Sequence, residues 1–379
     1  MRRVFLLVSA AVLVDTMFYA AITPLLPTYQ DDLGLSKTAA GILSGSYAAG
    51  TLLASLPAGR LAGRVGGKRT TMVGLAVLAV TSVAFGFGQT IEVLDGARFV
   101  QGVGGACTWA GGLAWLMSVT PPQRRGQTIG GALGAAVFGV LLGPVIGGAA
   151  TESSPQLVFS LAAVPAAGLM AWMLSTPGAP ARPQSSWRDV RQALRGRRLR
   201  MAVWLFLLPA LIIGTIDVLV PLRLDDLGAR GLTIGALFVA AAALEAVLNP
   251  IMGRLSDQRG RVALLRFGLA GSAVGALVLP LPGSVALLGV VLMAAIFSLA
   301  FFWAPAAAQL LEASESSGLD QGFAFGLMNL AWAAGQVAGG AAGGALADVT
   351  TDSVPYALIA LLCAMSLRAV RTRQAAAIT

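Results

Sequence analysis

The sequence predicts an all-α membrane protein whose twelve transmembrane helices form two pseudo-symmetric six-helix bundles. Three observations lead there. Of the 379 residues, 56% are hydrophobic and only 11% charged, with a mean hydropathy of +0.79. Soluble domains carry about 25% charged residues, and no core hides this much apolar surface from water, so most of the chain has lipid as its solvent. Twelve apolar runs each supply the roughly 20 residues that cross a bilayer. The halves also match at one fixed offset. "PTYQDDLG" (27–34) returns as "PLRLDDLG" (221–228), 194 positions later. The same shift carries Gly41 to Gly235 and "GRLAGRVG" (59–66) to "GRLSDQRG" (253–260).

In chain order the runs are 4–27, 37–58, 70–90, 92–119, 127–151, 156–175, 200–224, 231–253, 262–280, 283–311, 321–347 and 353–370. The first has a basic start, like a secretory signal, but its apolar character continues past Asp15 to Pro27 and eleven spans follow, so it reads as a retained span. The sharpest divides are "GRLAGRVGGKR" (59–69), "TPPQRRG" (120–126) and "GRLSDQRGR" (253–261). The longest polar stretch, "TPGAPARPQSSWRDVRQALRGRRLR" (176–200), begins Pro-rich and ends as a basic helix. It divides the chain into an N-terminal bundle (1–175), a linker (176–199) and a C-terminal bundle (200–379).

Charge then orients the chain. If the N-terminus is cytoplasmic, the loops, chain ends and adjoining span ends on that side hold 22 of the 26 Lys and Arg residues. Lys37, Arg223 and Arg230 fall outside and Arg98 lies within a span, while Asp31, Asp32, Glu152, Asp225, Asp226 and Asp352 lie on the opposite side. The positive-inside rule therefore expects both termini in the cytoplasm of a multi-pass cell (inner) membrane protein.

Composition excludes much else. The net charge of +9 is spread over short loops rather than a patch on a soluble domain, which argues against nucleic acid. With no histidine, His triads, His metal sites and His proton relays are ruled out, and Cys107 and Cys363 make neither a disulfide framework nor a metal cluster. No cofactor, bound metal or ATP site is expected, since no Gly-x-x-x-x-Gly-Lys-[Ser/Thr] loop occurs. Without a nucleophile–base pair, an enzyme is not expected either. Proton chemistry must fall to carboxylates.

Three carboxylates lie deep in spans. Asp15, in "VLVDTMFYAAITPLLP", sits near the middle of span 1 with Phe18 and Tyr19 one turn on. Asp217, in "IIGTIDVLVP", occupies span 7 nearer its outer end, and Glu245 lies deep in span 8 with Asn249 a turn later. An unpaired carboxylate in a membrane costs several kcal/mol (roughly 3 on insertion scales) unless protonated or paired. Each therefore fits a proton or cation site, or a carboxylate satisfied by a neighbouring Arg or hydroxyl. In span 4, Arg98, Gln101, Gly105 and Trp109 share one helical face, and in span 11 Asn329, Trp332 and Gln336 share another. An aromatic-lined cavity with carboxylates suits lipophilic cations, although Met and aromatic residues in spans also serve as plain packing.

Four glycines and a proline interrupt span 5 in "GVLLGPVIGG" (139–148). Gly139, Gly143 and Gly147 repeat every four residues, which leaves a face without side chains where another helix can approach closely. Pro144 removes one intrahelical hydrogen bond and bends the span.

The layout and several motifs resemble the major facilitator superfamily over essentially the whole chain. "GRLAGRVGGKR", with Gly59, Arg64 and Gly66, is similar to its signature Gly-x-Leu-x-Asp-Arg-x-Gly-Arg-Arg but has Gly63 at the acidic position. The copy "GRLSDQRGR", with Gly253, Asp257, Gly260 and Arg261, keeps the acid but has Gln258 for the first Arg. The resemblance implies a cytoplasmic latch between the halves; the same loops also read as tight basic turns. Arg98-x-x-Gln101-Gly102 is similar to the superfamily's Arg-x-x-Gln-Gly motif, which implies a proton-coupling role for Arg98. The same Arg also fits a structural part, bonded to backbone carbonyls. "GVLLGPVIGG" matches the antiporter motif Gly-x-x-x-Gly-Pro-x-x-Gly-Gly at every fixed position, Gly148 included, and span 11 carries a worn copy, "AWAAGQVAGG" (331–340). In the superfamily that motif marks drug:proton antiporters, in which the bend lies where the halves meet.

The resemblance implies a monomeric secondary transporter that exchanges protons for small hydrophobic or cationic compounds, with substrate bound between the halves. A proton-coupled exporter of one dedicated metabolite, such as a sugar or amino acid, shares the fold and the span-5 motif. A non-transporting receptor on the same scaffold has no use for intramembrane carboxylates.

Overall fold

A computed structural model of the chain describes residues 1–121, 125–178, 187–319 and 321–376, which are helical apart from short connections. Helix α1 (Arg2–Ala20) leads towards Pro24 and Pro27. Proline has no N–H to donate and disrupts a continuing helix, so a 3-10 turn (Thr23–Leu25) intervenes before α2 (Leu26–Leu33). Helix α3 (Lys37–Val65) bends by 51° at Pro57. Then follow α4 (Gly67–Gly86), α5 (Ile91–Ser118), α6 (Arg125–Glu152), which keeps Pro144 inside it, and the pair α7 (Pro155–Ser160) and α8 (Ala163–Leu174). In the linker, α9 (Trp187–Ala193) is the short helix that its basic sequence predicts.

The second half comprises α10 (Arg197–Asp226), α11 (Gly231–Arg259), α12 (Arg261–Val278), α13 (Val285–Ser316), α14 (Gln321–Val337), α15 (Gly343–Val349) and α16 (Ser353–Ala376). A π-helical turn, Ala338–Ala342, separates α14 from α15. Each of the twelve apolar runs thus falls on helix. Among the described residues nine stretches are long and apolar enough to cross a membrane, or ten if the bent α3 is one span. The other two runs fall short for visible reasons: glycines, Gln101 and Arg98 dilute the hydropathy of α5, and the π turn divides α14 from α15.

Backbone geometry repeats at the same offset as the sequence. Of the five glycines with positive φ among the described residues, Gly34 (62°) pairs with Gly228 (85°) and Gly66 (89°) with Gly260 (85°), each 194 residues on. A side chain in that region costs about 1–2 kcal/mol. Gly66 and Gly260 therefore act as the tight turns of the two basic loops, each immediately preceding a helix, α4 and α12.

The chain divides into two compact units that interleave in sequence. Unit 1 comprises residues 1–35, 42–186 and 231–239; unit 2 comprises 36–41, 187–230 and 240–379. In unit 1 the glycine face of α6 lies on α1. A Cβ at Gly143 would stand 2.5 Å from Ala20 Cβ, and one at Gly139 or Gly147 would strike the backbone oxygen of Leu13 or Ala21. Thr16 Oγ1 fastens the seam by donating across it to Ala136 O at 3.1 Å. The other side of α6 meets the segment 231–239: Gly235 fits over Pro144 O, and Gly148 lies against Leu232. Unit 2 repeats the arrangement with the worn copy. Gly335, Gly339 and Gly343 lie on α10, where Thr215 Oγ1 donates to Gly339 O at 3.1 Å. Val80, Phe138, Val247 and Val290 are among the large apolar side chains left exposed, as a lipid-facing surface requires.

Candidate functional site

In unit 1 the break between α1 and α2 leaves helix carbonyls without their usual donors, and Arg98 of α5 supplies replacements. It donates through Nη1 to Phe18 O (3.1 Å) and Gln101 Oε1 (2.7 Å), and through Nη2 to Tyr19 O (2.9 Å). Gln101 passes the chain on, its Nε2 donating to Ser82 Oγ at 2.9 Å. The guanidinium also lies over the rings of Tyr47, Tyr19 and Phe85, at 5.2, 5.8 and 6.0 Å from their centroids. A buried cation surrounded by carbonyls and π faces is held by dipoles and quadrupoles rather than by a counter-ion. Arg98 is thus bonded to backbone carbonyls and lies within electrostatic reach of Asp15.

Asp15, one turn earlier on α1, is fully buried. Its Oδ2 accepts a hydrogen bond from Tyr47 Oη at 2.8 Å, while Oδ1 has no hydrogen-bond partner among the described residues. The Trp109 indole stands within reach of the same carboxyl. Glycine makes the approach of Tyr47 possible. A Cβ at Gly102 would strike Tyr47 O, and one at Gly105 would strike Tyr47 Oη and lie 3.2 Å from Asp15 Oδ1. Thr51 Oγ1 donates to Gly102 O at 3.1 Å and ties α3 to α5 just there. Asp15 thus lies beside the α5 face that carries Arg98, Gln101, Gly105 and Trp109, with Tyr47, which the sequence does not single out, between them.

Two residues expected to line a cavity are buried among other side chains. Phe18 is 3% exposed and packs on Phe159, ring centroids 5.9 Å apart, in an aromatic layer with Phe85. Gln101 is 1% exposed and occupied by Arg98 and Ser82. Tyr19 and Trp109 are half-buried.

In unit 2, Asp217 on α10 and Glu245 on α11 are half-buried and lie within electrostatic reach of each other. Gln336 is buried where a Cβ at Gly214 would meet its Oε1 at 2.7 Å; Asn329 and Trp332 are half-buried on the same helix, α14. Asn249, Gly253 and Asp257 fall on α11, but their side chains lie outside the described residues. Of the basic-loop residues, Gly59 is half-buried and Arg64 exposed. Arg261 pairs with Glu312 at the end of α13, and Glu312 also holds Arg198 at 2.5 Å. Glu312 was invisible in sequence because its partners lie 51 and 114 residues away.

A duplicated bundle of apolar helices with charged and polar groups buried inside it is the architecture of a multi-pass membrane transporter. A sequence profile of the Major Facilitator Superfamily matches residues 8–224 and 210–376. The chain belongs to that superfamily, whose members are transporters rather than enzymes. It is 27% identical over 360 residues to Multidrug resistance protein 1 of Bacillus subtilis, covering 91% of each chain. In fold it is similar to the human organic anion transporter MFSD10 (TM-score 0.73, 16% identity, 97% of this chain and 99% of that one). A D-xylose–proton symporter is similar to the same degree (TM-score 0.73, 16% identity, 97% and 96%).

Proposed function

We propose that the protein is a secondary active transporter that couples proton entry to the efflux of small hydrophobic or cationic compounds by alternating access. The observation that carries this reading is Asp15. A fully buried carboxyl with one hydroxyl partner and one unpartnered oxygen has little to hold it permanently ionised, so it can take up and give back a proton. The complete antiporter motif on α6 and the similarity to Multidrug resistance protein 1 of Bacillus subtilis support export.

In this reading the repeats 1–175 and 200–379, joined by 176–199, are the bodies that exchange facing states, working as a monomer in the inner membrane with both termini cytoplasmic. Proton coupling falls to Asp15, with Arg98 beside it, and in the second repeat to Asp217 or Glu245. Substrate contact falls to Tyr19 and Trp109 in the first repeat and to Asn329 and Trp332 in the second, half-buried residues whose aromatic rings suit an apolar cation. Exchange requires proton and substrate to favour different facing states.

The test is reconstitution into liposomes with an imposed pH gradient, followed by a panel of cationic, neutral and anionic compounds. Substrates are expected to dissipate the gradient, and Asp15→Asn to abolish the effect. Silence across the panel from demonstrably folded protein sinks the antiport reading. Transport of a single sugar or amino acid, with no competition among unrelated cations, replaces it with a dedicated metabolite exporter.

A further inference from the structure

Asp15 and Arg98 are the opposite charges buried deepest in unit 1, yet they form no ion pair. Every group described around them explains why. The planar guanidinium is already engaged with Phe18 O, Tyr19 O and Gln101 Oε1. The Tyr47 ring covers it at 5.2 Å and meets Tyr19 at a tilt of 47°, centroids 4.8 Å apart, while the Tyr47 hydroxyl turns away to donate to Asp15 Oδ2 at 2.8 Å. The phenol thus meets the guanidinium with its face and the carboxylate with its hydroxyl. Its position is fixed by backbone rather than by soft side chains, because the α3–α5 approach rests on Gly102, Gly105 and the Thr51 clasp.

We propose that Tyr47 is a positioning residue for proton exchange: it holds the Asp15 carboxyl apart from Arg98 and, through its single hydrogen bond, sets how tightly that carboxyl keeps its proton. A direct Asp–Arg pair in a dry interior holds the carboxylate ionised and blocks reloading. Neutral donors, the Tyr47 phenol and the Trp109 indole, favour the ionised form less than a salt bridge does, so the group cycles. The groups that face Asp15 are Tyr47 on α3 and Trp109 and Arg98 on α5. Of these, Tyr47 alone has a hydrogen bond of defined geometry to the carboxyl. The proposal rests on Asp15 carrying the proton, and its test separates the two.

The carboxyl is read directly by infrared titration of purified protein, with the Asp15 C=O band identified by its loss in Asp15→Asn. Tyr47→Phe keeps the ring and removes the donor, so the midpoint is expected to move to higher pH by roughly 0.5–1 unit, the worth of one hydrogen bond. 3-Fluorotyrosine at position 47, a better donor of the same shape, is expected to move it the opposite way and remains informative if Tyr47→Phe does not fold. The pH profile of exchange in liposomes should follow both shifts. Midpoints that coincide with wild type in both variants overturn the proposal. Shifted midpoints with unaltered pH dependence of exchange, in Asp15→Asn as well, leave the positioning role standing and overturn the reading of Asp15 as the coupling carboxyl.

Discussion

Lys37 Nζ lies 2.5 Å from Asp352 Oδ1, joining the start of α3 to the residue just before α16 across 315 positions of sequence. Beside it, Asp348 Oδ2 accepts from Thr38 Oγ1 (2.7 Å) and Thr38 N (3.4 Å), so a carboxylate at the end of α15 caps the N-terminus of α3. Gly41 and Gly344 let the backbones meet between these contacts. The segment 36–41 is therefore fastened to unit 2 at its N-terminal end, while the rest of α3 belongs to unit 1.

The ion pair is half-buried, so reversing one charge is expected to weaken the fastening by about 0.5–1 kcal/mol. Lys37→Asp should raise hydrogen exchange at the amides of residues 38–41, and Lys37→Asp with Asp352→Lys should restore it. No rescue by the double variant would mean that the pair is incidental.

Asp348 gives a pH dependence of defined sign. The Thr38 hydroxyl, followed by Ser36 and the backbone N–H groups of Thr38 and Lys37, holds its carboxyl below the ordinary value of 3.8. A carboxyl depressed in the folded state stabilises it fully above the unfolded value, and that stabilisation is lost as pH falls through the folded value. Protection of residues 38–41 should therefore be flat across neutral pH and fall only in acid below 3.8. Asp348→Asn should abolish that acid step while lowering protection at neutral pH.

The seam between α1 and α6 can be tested by adding one carbon. Gly143→Ala places a methyl 2.5 Å from Ala20 Cβ and 2.8 Å from Met17 O, whereas a Cβ at Gly134 on the same helix meets nothing within 4 Å. Overpacking of this kind costs about 1–3 kcal/mol. Thermal unfolding in detergent should show a clear loss for Gly143→Ala, and none for Gly134→Ala. Gly143→Leu should stop exchange; wild-type exchange in that variant would reduce the glycine motif to a marker of kinship.

Arg98→Lys should be nearly as damaging as Arg98→Gln. One ammonium cannot reproduce the planar fork that serves Phe18 O, Tyr19 O and Gln101 together. The carbonyls left bare at the end of α1 make the loss roughly 2–4 kcal/mol. Stability close to wild type in the lysine variant would show that charge alone is what the site requires.

The fold was legible because its signals are periodic and local. Apolar runs marked the spans, and the offset of 194 anticipated even the paired glycine turns at Gly34 and Gly228, and Gly66 and Gly260. The helical period put Arg98, Gln101, Gly105 and Trp109 on one face of α5, but that Asp15 of α1 meets this face was not legible from either helix alone. Tyr47 was not legible, because "SGSYAAGT" is an ordinary apolar stretch until the register of α3 on α5 is known, and Gly50 and Gly102 set that register only in three dimensions. Lys37 with Asp352, and Glu312 with its two arginines, were hidden by the same distance in sequence. Phe18, on the same continuous helix as Asp15, packs into an aromatic layer with Phe85 and Phe159 that brings together residues 67 and 141 positions away in sequence.

The glycine seam has a mechanical consequence. Where Gly139, Gly143 and Gly147 meet α1, only the short side chains of Thr16 and Ala20 and the ring of Pro24 stand between the two backbones, which leaves little to absorb a displacement. The two helices transmit load as one stiff rod. Asp15, next to the Thr16 rivet, rides on that rod, so any push on the far side of α6 reaches the carboxyl undamped.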